Sequence, residues 1–306
     1  MAGSAGDSGA VREHWVAIAE GLYYPAVATI GEQGLLLFAR DAGGELSVRE
    51  HDGKEWAPAR SLGAPGVQIE GPLSACSTGD GVMHLLARGA DGELLHGTLR
   101  DQLWSGFVPI GVPSVAGVPM GLATAPTACS RARGEMDVFA VNIGGDLLQA
   151  TWNEEGFTPF EPLGPSTCAV AAAACGSRVV ALVARGSAGD LAVKWRNDER
   201  WSASTSLGAP EEEDVLYPGI PHRLPFSGAP AACGGGSTRL DVFARSPSGD
   251  LVHTWWNGKE WSSFASLGMP RAAPFIGASL ACAWRRFRLD VFARAADGKL
   301  YTRALK

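Results

Sequence analysis

Three short segments of this sequence place tryptophan beside a polar side chain: His253, Trp255 and Trp256; Lys194 and Trp195; and Gln149, Trp152 and Asn153. A flat aromatic face covers the apolar C–H side of a sugar ring, and a few fixed donors and acceptors meet its hydroxyls. The segments therefore suit a carbohydrate, with His253, Trp255, Trp256, Trp195, Gln149 and Trp152 as the candidate contacts. The same tryptophans also suit packing between structural units. That use is the expected one for Trp56, Trp104, Trp201 and Trp261, which recur at one place in a repeat.

A second constellation would do different chemistry. The stretch Pro210–Gly228 carries Glu211, Glu212, Glu213, Asp214, Tyr217, His222 and Arg223, stiffened by Pro218, Pro221 and Pro225. Together with Glu70, the side chains of Tyr217, His222 and Arg223 would line one pocket. The imidazole would exchange protons near neutral pH, a carboxylate would orient it, and the guanidinium would hold an anionic group. That outlines an intracellular small-molecule enzyme such as a cyclase, isomerase or lyase; the acidic run also reads simply as a solvated loop. The chain has no G-x-S-x-G, no H-E-x-x-H and no phosphate loop. His84, His96, His222 and His253 lack ligand spacing and no C-x-x-C occurs, so neither a metal nor a cofactor is expected.

The elements that must position these residues come from a repeat. Its clearest copy runs Leu240-Asp-Val-Phe-Ala-Arg245, Gly249-Asp250-Leu251, Trp255-Trp256-Asn-Gly258, Trp261 and Ser266-Leu-Gly268. The Phe-Ala-Arg core or a variant of it ends at residues 40, 88, 141, 185, 245 and 294. Each copy reads as four short strands. Strand a is small and apolar, strand b is Leu240–Arg245 and strand c is Leu251–Trp256, followed by strand d from Trp261 to Leu267. Hairpin turns such as Ser248-Gly249 and Asn257-Gly258 separate them. Six four-stranded units of this length predict an all-β, six-bladed propeller.

The sixth unit stops at Lys306 after strand c, and a segment containing Trp15 is placed to supply its missing strand d. An N-terminal strand that closes the ring removes exposed sheet edges. The expected organisation is a flexible tail over residues 1–13 and one propeller over 14–306. Five of the six cysteines, Cys76, Cys129, Cys175, Cys233 and Cys282, share one strand-a position and read as buried thiols of a reducing compartment. The Asp of strand b (Asp137, Asp241, Asp290, with His84 in its place in unit two) reads as a partner of neighbouring backbone, and the repeated Arg as one half of a structural salt bridge.

A formal net charge of −6 disfavours nucleic acid as a partner. No apolar run is long enough to span a membrane, and the first ten residues lack the apolar core of a signal peptide, so membrane insertion is not expected and the cytoplasm is the default compartment. The expected partners are glycans or a small-molecule ligand, with a homo-oligomer left open.

The string Leu-Asp-Val-Phe-Ala-Arg, Gly-Asp-Leu-x-His-x-Trp-Trp-x-Gly, Trp and Ser-Leu-Gly resembles the repeat of bacterial fucose-binding propeller lectins of the Photorhabdus type, most strongly over Leu240–Gly268. That family commonly has seven blades. The six counted here are the number in fungal fucose-binding propellers, which the chain resembles more loosely. The fungal resemblance implies a Glu on strand c with an Arg and a Trp nearby. Here the strand-c positions are Val48, His96, Gln149, Val193, His253 and Thr302, so a site of fungal type is not carried over. The bacterial-type His stands at His96 and His253.

Overall fold

The computed structural model describes residues 14–305 except 31–33, 80, 167–168, 176–178, 187, 198–199, 210, 214–220, 224, 235–238, 271–272 and 286–287. The expected tail and Tyr217 lie outside the described residues. The fold is a six-bladed β-propeller, and no helix occurs among the described residues.

Each blade is an antiparallel sheet of strands a, b, c and d, in chain order in blades one to five. Blade one consists of Tyr23–Ile30, Gly34–Arg40, Leu46–His51 and Arg60–Gly63. Blade two is Ile69–Ser77, Val82–Gly89, Leu94–Arg100 and Val108–Gly111. Blade three is Thr127–Ala132, Glu135–Val141, Asp146–Asn153 and Glu161–Pro165. Blade four is Ala169–Cys175, Val179–Arg185, Leu191–Asn197 and Thr205–Gly208. Blade five is Ser227–Gly234, Leu240–Arg245, Leu251–Trp256 and Ala265–Ser266.

Blade six takes Phe275–Arg285, Arg288–Ala295 and Lys299–Leu305 from the C-terminal end and Val16–Glu20 from the other. The closing strand pairs Val16 with Thr302 and Glu20 with Lys299. Trp15 leads into it, donating its indole N–H to the carbonyl of Leu267 at 3.1 Å and standing edge-on to Phe275 at 4.6 Å. The register refines the sequence reading. Val16 faces Thr302 as Ala265 faces His253, so Trp15 occupies the place of Phe264 and not that of Trp261. The innermost strands adjoin their neighbours all the way round, Phe275–Arg285 lying beside Tyr23–Ile30, so the ring is closed.

Side chains alternate along each strand, so one set faces the next blade and the other faces the previous one. Phe38, Phe139, Phe243 and Phe292 of the core string are fully buried between blades. Trp56 meets Phe292 and Trp201 meets Phe139, both edge-on across a blade boundary. Gly97 gives way to Trp104: a Cβ there would lie 2.2 Å from the indole ring. Cys76, Cys129 and Cys233 are buried on strand a, opposite His84, Asp137 and Asp241.

The repeated arginine is corrected. Arg40, Arg88 and Arg185 donate to carbonyls of the following blade, at Ile69 and Gly71, Leu122, and Phe226 respectively. Among the described residues, Arg88 alone of the three also shows an ion pair, to Glu70 at 3.5 Å. A bent strand end exposes carbonyls that a neighbouring sheet cannot pair, and a planar multi-donor side chain satisfies them.

Candidate functional site

Arg239 and Asp241 are two apart on an extended chain, so their side chains share one side of blade five. Arg239 grips the carboxylate with Nε and Nη2, both at 2.8 Å. His253 is the diagonal cross-strand neighbour, and its Nε2 lies 2.8 Å from Asp241 Oδ1. Trp255 stands directly opposite Asp241 on strand c. The imidazole is buried as the middle of a stack, 4.6 Å from Phe243 and 5.2 Å from Trp255. The guanidinium of Arg239 sits 5.8 Å from the Trp255 ring. This arrangement faces blade six.

Burial pushes the Asp241 carboxyl up, but hydrogen bonds from His253 and Arg239 outweigh it and hold the group below the usual carboxylate range. The same hydrogen bond raises Arg239 above an ordinary guanidinium. The carboxylate is thus an anion whose work is orientation: it is sealed, while 41% of the Arg239 side chain stays exposed. Trp255 is half-buried beside it.

The boundary of blades three and four repeats the theme with other parts. Asp137 is fully buried and accepts from Arg131, from Gln149 Nε2 at 3.0 Å and from Thr151 Oγ1 at 3.1 Å. Arg196 crosses from blade four to reach it at 2.9 Å. Gln149 also accepts from the Trp201 indole at 3.2 Å, and Lys194 and Arg196 lie over that ring at 5.8 and 5.6 Å. In blade six Arg288 holds Asp290 in the same bidentate way, at 2.9 and 3.2 Å. The strand-b aspartates therefore take side-chain donors where backbone donors were expected from sequence. Blade two has histidine at this place. His84 is fully buried, with Nδ1 2.9 Å from His96 Nε2, and both rings face Trp152.

The six candidate contacts thus fall at four boundaries. His253 and Trp255 share the boundary of blades five and six. Gln149 lies between blades three and four, and Trp152 between two and three. Trp195 and Trp256 face each other between blades four and five, 6.0 Å apart, with Trp261 within 6.0 Å of both. That last seam has Ala181 and Val193 where its neighbours have charged and polar groups. Sequence reasoning missed Arg131, Arg239, Arg288 and Arg196.

The loop-lined mouth is at the opposite end of the blades. The d-to-a connections cross the b-to-c turns there, with Phe226 N donating to Gly189 O at 2.7 Å and Phe275 N to Gly249 O at 3.1 Å. The longest connection forms a short backbone hairpin, Glu211–Glu213 with Pro221–Arg223, in which Glu212 pairs with His222. The side chains of His222 and Arg223 lie outside the described residues. Glu70 is held by Arg88 and by Gln68 Nε2 at 3.3 Å. No group of metal-ligating side chains occurs among the described residues.

A family model for a repeat of unknown function, DUF346, matches residues 240–279. No curated protein matches the chain significantly. Among solved structures the chain is similar to AofleA from Arthrobotrys oligospora, at 16% identity over 96% of this chain and 86% of that one, with a TM-score of 0.70. It is similar to the fungal lectin of Aleuria aurantia, described as a six-bladed β-propeller with a novel fucose recognition mode, at 14% identity over 94% and 93% of the two chains and a TM-score of 0.67. It is also similar to the BP39L lectin from Burkholderia pseudomallei, at 19% identity over 94% and 96% and a TM-score of 0.64. At these identities the likeness establishes the fold.

Proposed function

We propose that this protein is a carbohydrate-binding, lectin-like propeller whose sites are shallow clefts between adjacent blades, with fucose or a related sugar as ligand. The observation that carries the reading is the Arg239–Asp241–His253 group beside Trp255. It supplies an aromatic face, a fixed guanidinium whose outer edge is open, and a buried anion that holds that guanidinium still. A sugar would stack on Trp255 and offer hydroxyls to Arg239, while Asp241 and His253 position the donor without touching the ligand. The cleft at Asp137 is the second candidate, with Arg131 as the partly exposed donor.

The likeness to fucose-binding propellers adds support: the Aleuria aurantia structure is described by its fucose recognition, and SapL1 lectin is known in complex with α-methyl fucoside. The Photorhabdus-type resemblance rests on the blade-five string and on His253. The carboxylate, guanidinium and tryptophan of the fungal pattern are all present, but the acid has moved from strand c to strand b. Two or three unequal clefts would give modest avidity for clustered glycans. The enzyme alternative rests on Glu70, Tyr217, His222 and Arg223; the one of these whose side chain is described, Glu70, is paired with Arg88.

A glycan array tests the reading. Saturable binding to fucosylated glycans is the expected outcome, and an array blank across neutral and acidic sugars would refute it.

A further inference from the structure

Strand a begins with a bulge at the loop-lined end of the blades. Tyr23, Glu70, Ser227 and Ile276 pair there with Arg40, Arg88, Arg245 and Arg294. The next residue turns left-handed. In blades two, five and six it is Gly71, Gly228 and Gly277, with φ of 75°, 77° and 75°. In blade one it is Tyr24, with φ of 49°. Glycine takes this conformation freely, whereas the Cβ of an L-residue crowds the following carbonyl oxygen. Tyrosine has no short polar side chain to offset that crowding. Burial does not compensate either, since Tyr24 remains 48% exposed.

Its surroundings show what such a residue would serve. Tyr23 is 37% exposed beside it. The guanidinium of Arg294 lies 4.6 Å from the Tyr23 ring and that of Arg40 lies 5.0 Å from the Tyr24 ring. Both arginines belong to the wall: Arg40 donates to Ile69 O at 3.0 Å and Gly71 O at 2.7 Å, and the Nε atoms of Arg40 and Arg294 are buried. Each tyrosine thus has one face braced by a fixed cation. Glu70 follows round the ring in blade two, its side chain 42% exposed. Strand a is innermost, so this group stands at the mouth of the central channel.

We propose that Tyr23, Tyr24 and Glu70 form a second binding site, for a neutral saccharide ring, at the channel mouth. The unbraced tyrosine faces would take the C–H side of the ring, and the phenol hydroxyls and the Glu70 carboxylate would meet its hydroxyls. A cationic ligand would meet Arg40 and Arg294, and an anionic one would meet Glu70. Strain held at an exposed residue is accounted for by a ligand that the glycine of blades two, five and six could not stack against. The site lies at the opposite end of the blades from Arg239 and stands or falls independently of the clefts.

The chain has four tyrosines and ten tryptophans, which allows the two ends to be read separately. Protein labelled with 3-fluorotyrosine is titrated with methyl α-L-fucoside, methyl β-D-galactoside and methyl α-D-mannoside and followed by fluorine NMR, with single Tyr→Phe variants assigning the signals. At least one glycoside is expected to shift the Tyr23 and Tyr24 signals saturably. In Tyr24→Gly, and in Tyr24→Asn, which also tolerates the left-handed backbone, the shift is lost while the unfolding midpoint stays within about 2 °C of the parent, because strain relief offsets the lost ring contacts. A 5-fluorotryptophan sample in the same titrations reports the clefts, so tyrosine shifts without tryptophan shifts would sink the cleft reading and keep this one. The proposal is overturned if neither the Tyr23 nor the Tyr24 signal moves with any of the three glycosides. It is equally overturned if both Tyr24 variants unfold more than about 5 °C lower or fail to fold, since the ring would then be structural.

Discussion

Arg196 reaches out of blade four and sets its Nη2 2.9 Å from Oδ2 of Asp137 in blade three. The aspartate side chain has no exposure and the arginine keeps 10% of its own. Removing one partner of such a pair leaves a buried charge under-compensated. Arg196→Ala should destabilise the protein by about 3 kcal/mol. Arg239 pairs with Asp241 from the rim, with 41% of its side chain in solvent, and Arg239→Ala should cost about 1 kcal/mol or less. Urea unfolding of the two variants checks this, and equal losses would contradict the assignment of Arg196 as the cross-blade tie.

The pair at His84 and His96 predicts a pH dependence. Burial, and then the neighbouring His84, push the His96 imidazole down to about 4. The unfolded chain takes up its proton near the usual histidine value of about 6.5. Below that pH the unfolded state binds more protons than the folded one, so stability falls as pH falls, through to about 4. This one group should withdraw about 2 kcal/mol by pH 5. His96→Gln should flatten the unfolding midpoint between pH 6.5 and 5. A midpoint that drops equally in parent and variant would place the titration elsewhere.

Ring closure predicts the effect of a truncation. Deleting residues 1–20 removes the strand Val16–Glu20 together with the packing of Trp15 on Phe275. The lost apolar burial of Trp15 and Ile18 amounts to about 3–6 kcal/mol, or about 10 °C in unfolding midpoint. An unchanged midpoint would rule out the closure.

Much of this was legible in the sequence, for reasons that differ between elements. Leu240–Arg245 and Leu251–Trp256 were readable to the residue, because the Ser248-Gly249 and Asn257-Gly258 turns bound two short β-rich runs and fix their register. The outer strands were less so. Bulges between Leu46 and Ser47, Pro109 and Gly111, Asp146 and Leu148, and Leu191 and Ala192 break their period, and in blade six Trp15 takes the place of Phe264, three residues from that of Trp261. The arginines of the clefts had a partial signal in Arg239-Leu-Asp241 and Arg288-Leu-Asp290, where a two-residue spacing on a strand puts both charges on one side. Arg131 lies across a hairpin from Asp137 and Arg196 comes from the next blade, so no local pattern shows either.

Substitutions at the two neighbouring tryptophans of blade five should separate binding from packing. Trp255→Ala should weaken sugar binding by about 5- to 150-fold, the loss of about 1–3 kcal/mol that follows removal of an aromatic platform. Trp256 faces Trp195 and Trp261, so Trp256→Ala should lower stability and leave affinity within about twofold. Calorimetric titration with methyl α-L-fucoside and thermal unfolding read the two effects, and a reversed pattern would exchange the roles.

The most direct measurement is a crystal structure of the protein soaked with methyl α-L-fucoside. The account predicts a sugar ring stacked on Trp255 with a hydroxyl within hydrogen-bond distance of Arg239, in the cleft between blades five and six. Well-diffracting crystals with no sugar at any blade boundary, or with sugar bound away from Trp255 and Arg131 alike, would contradict it.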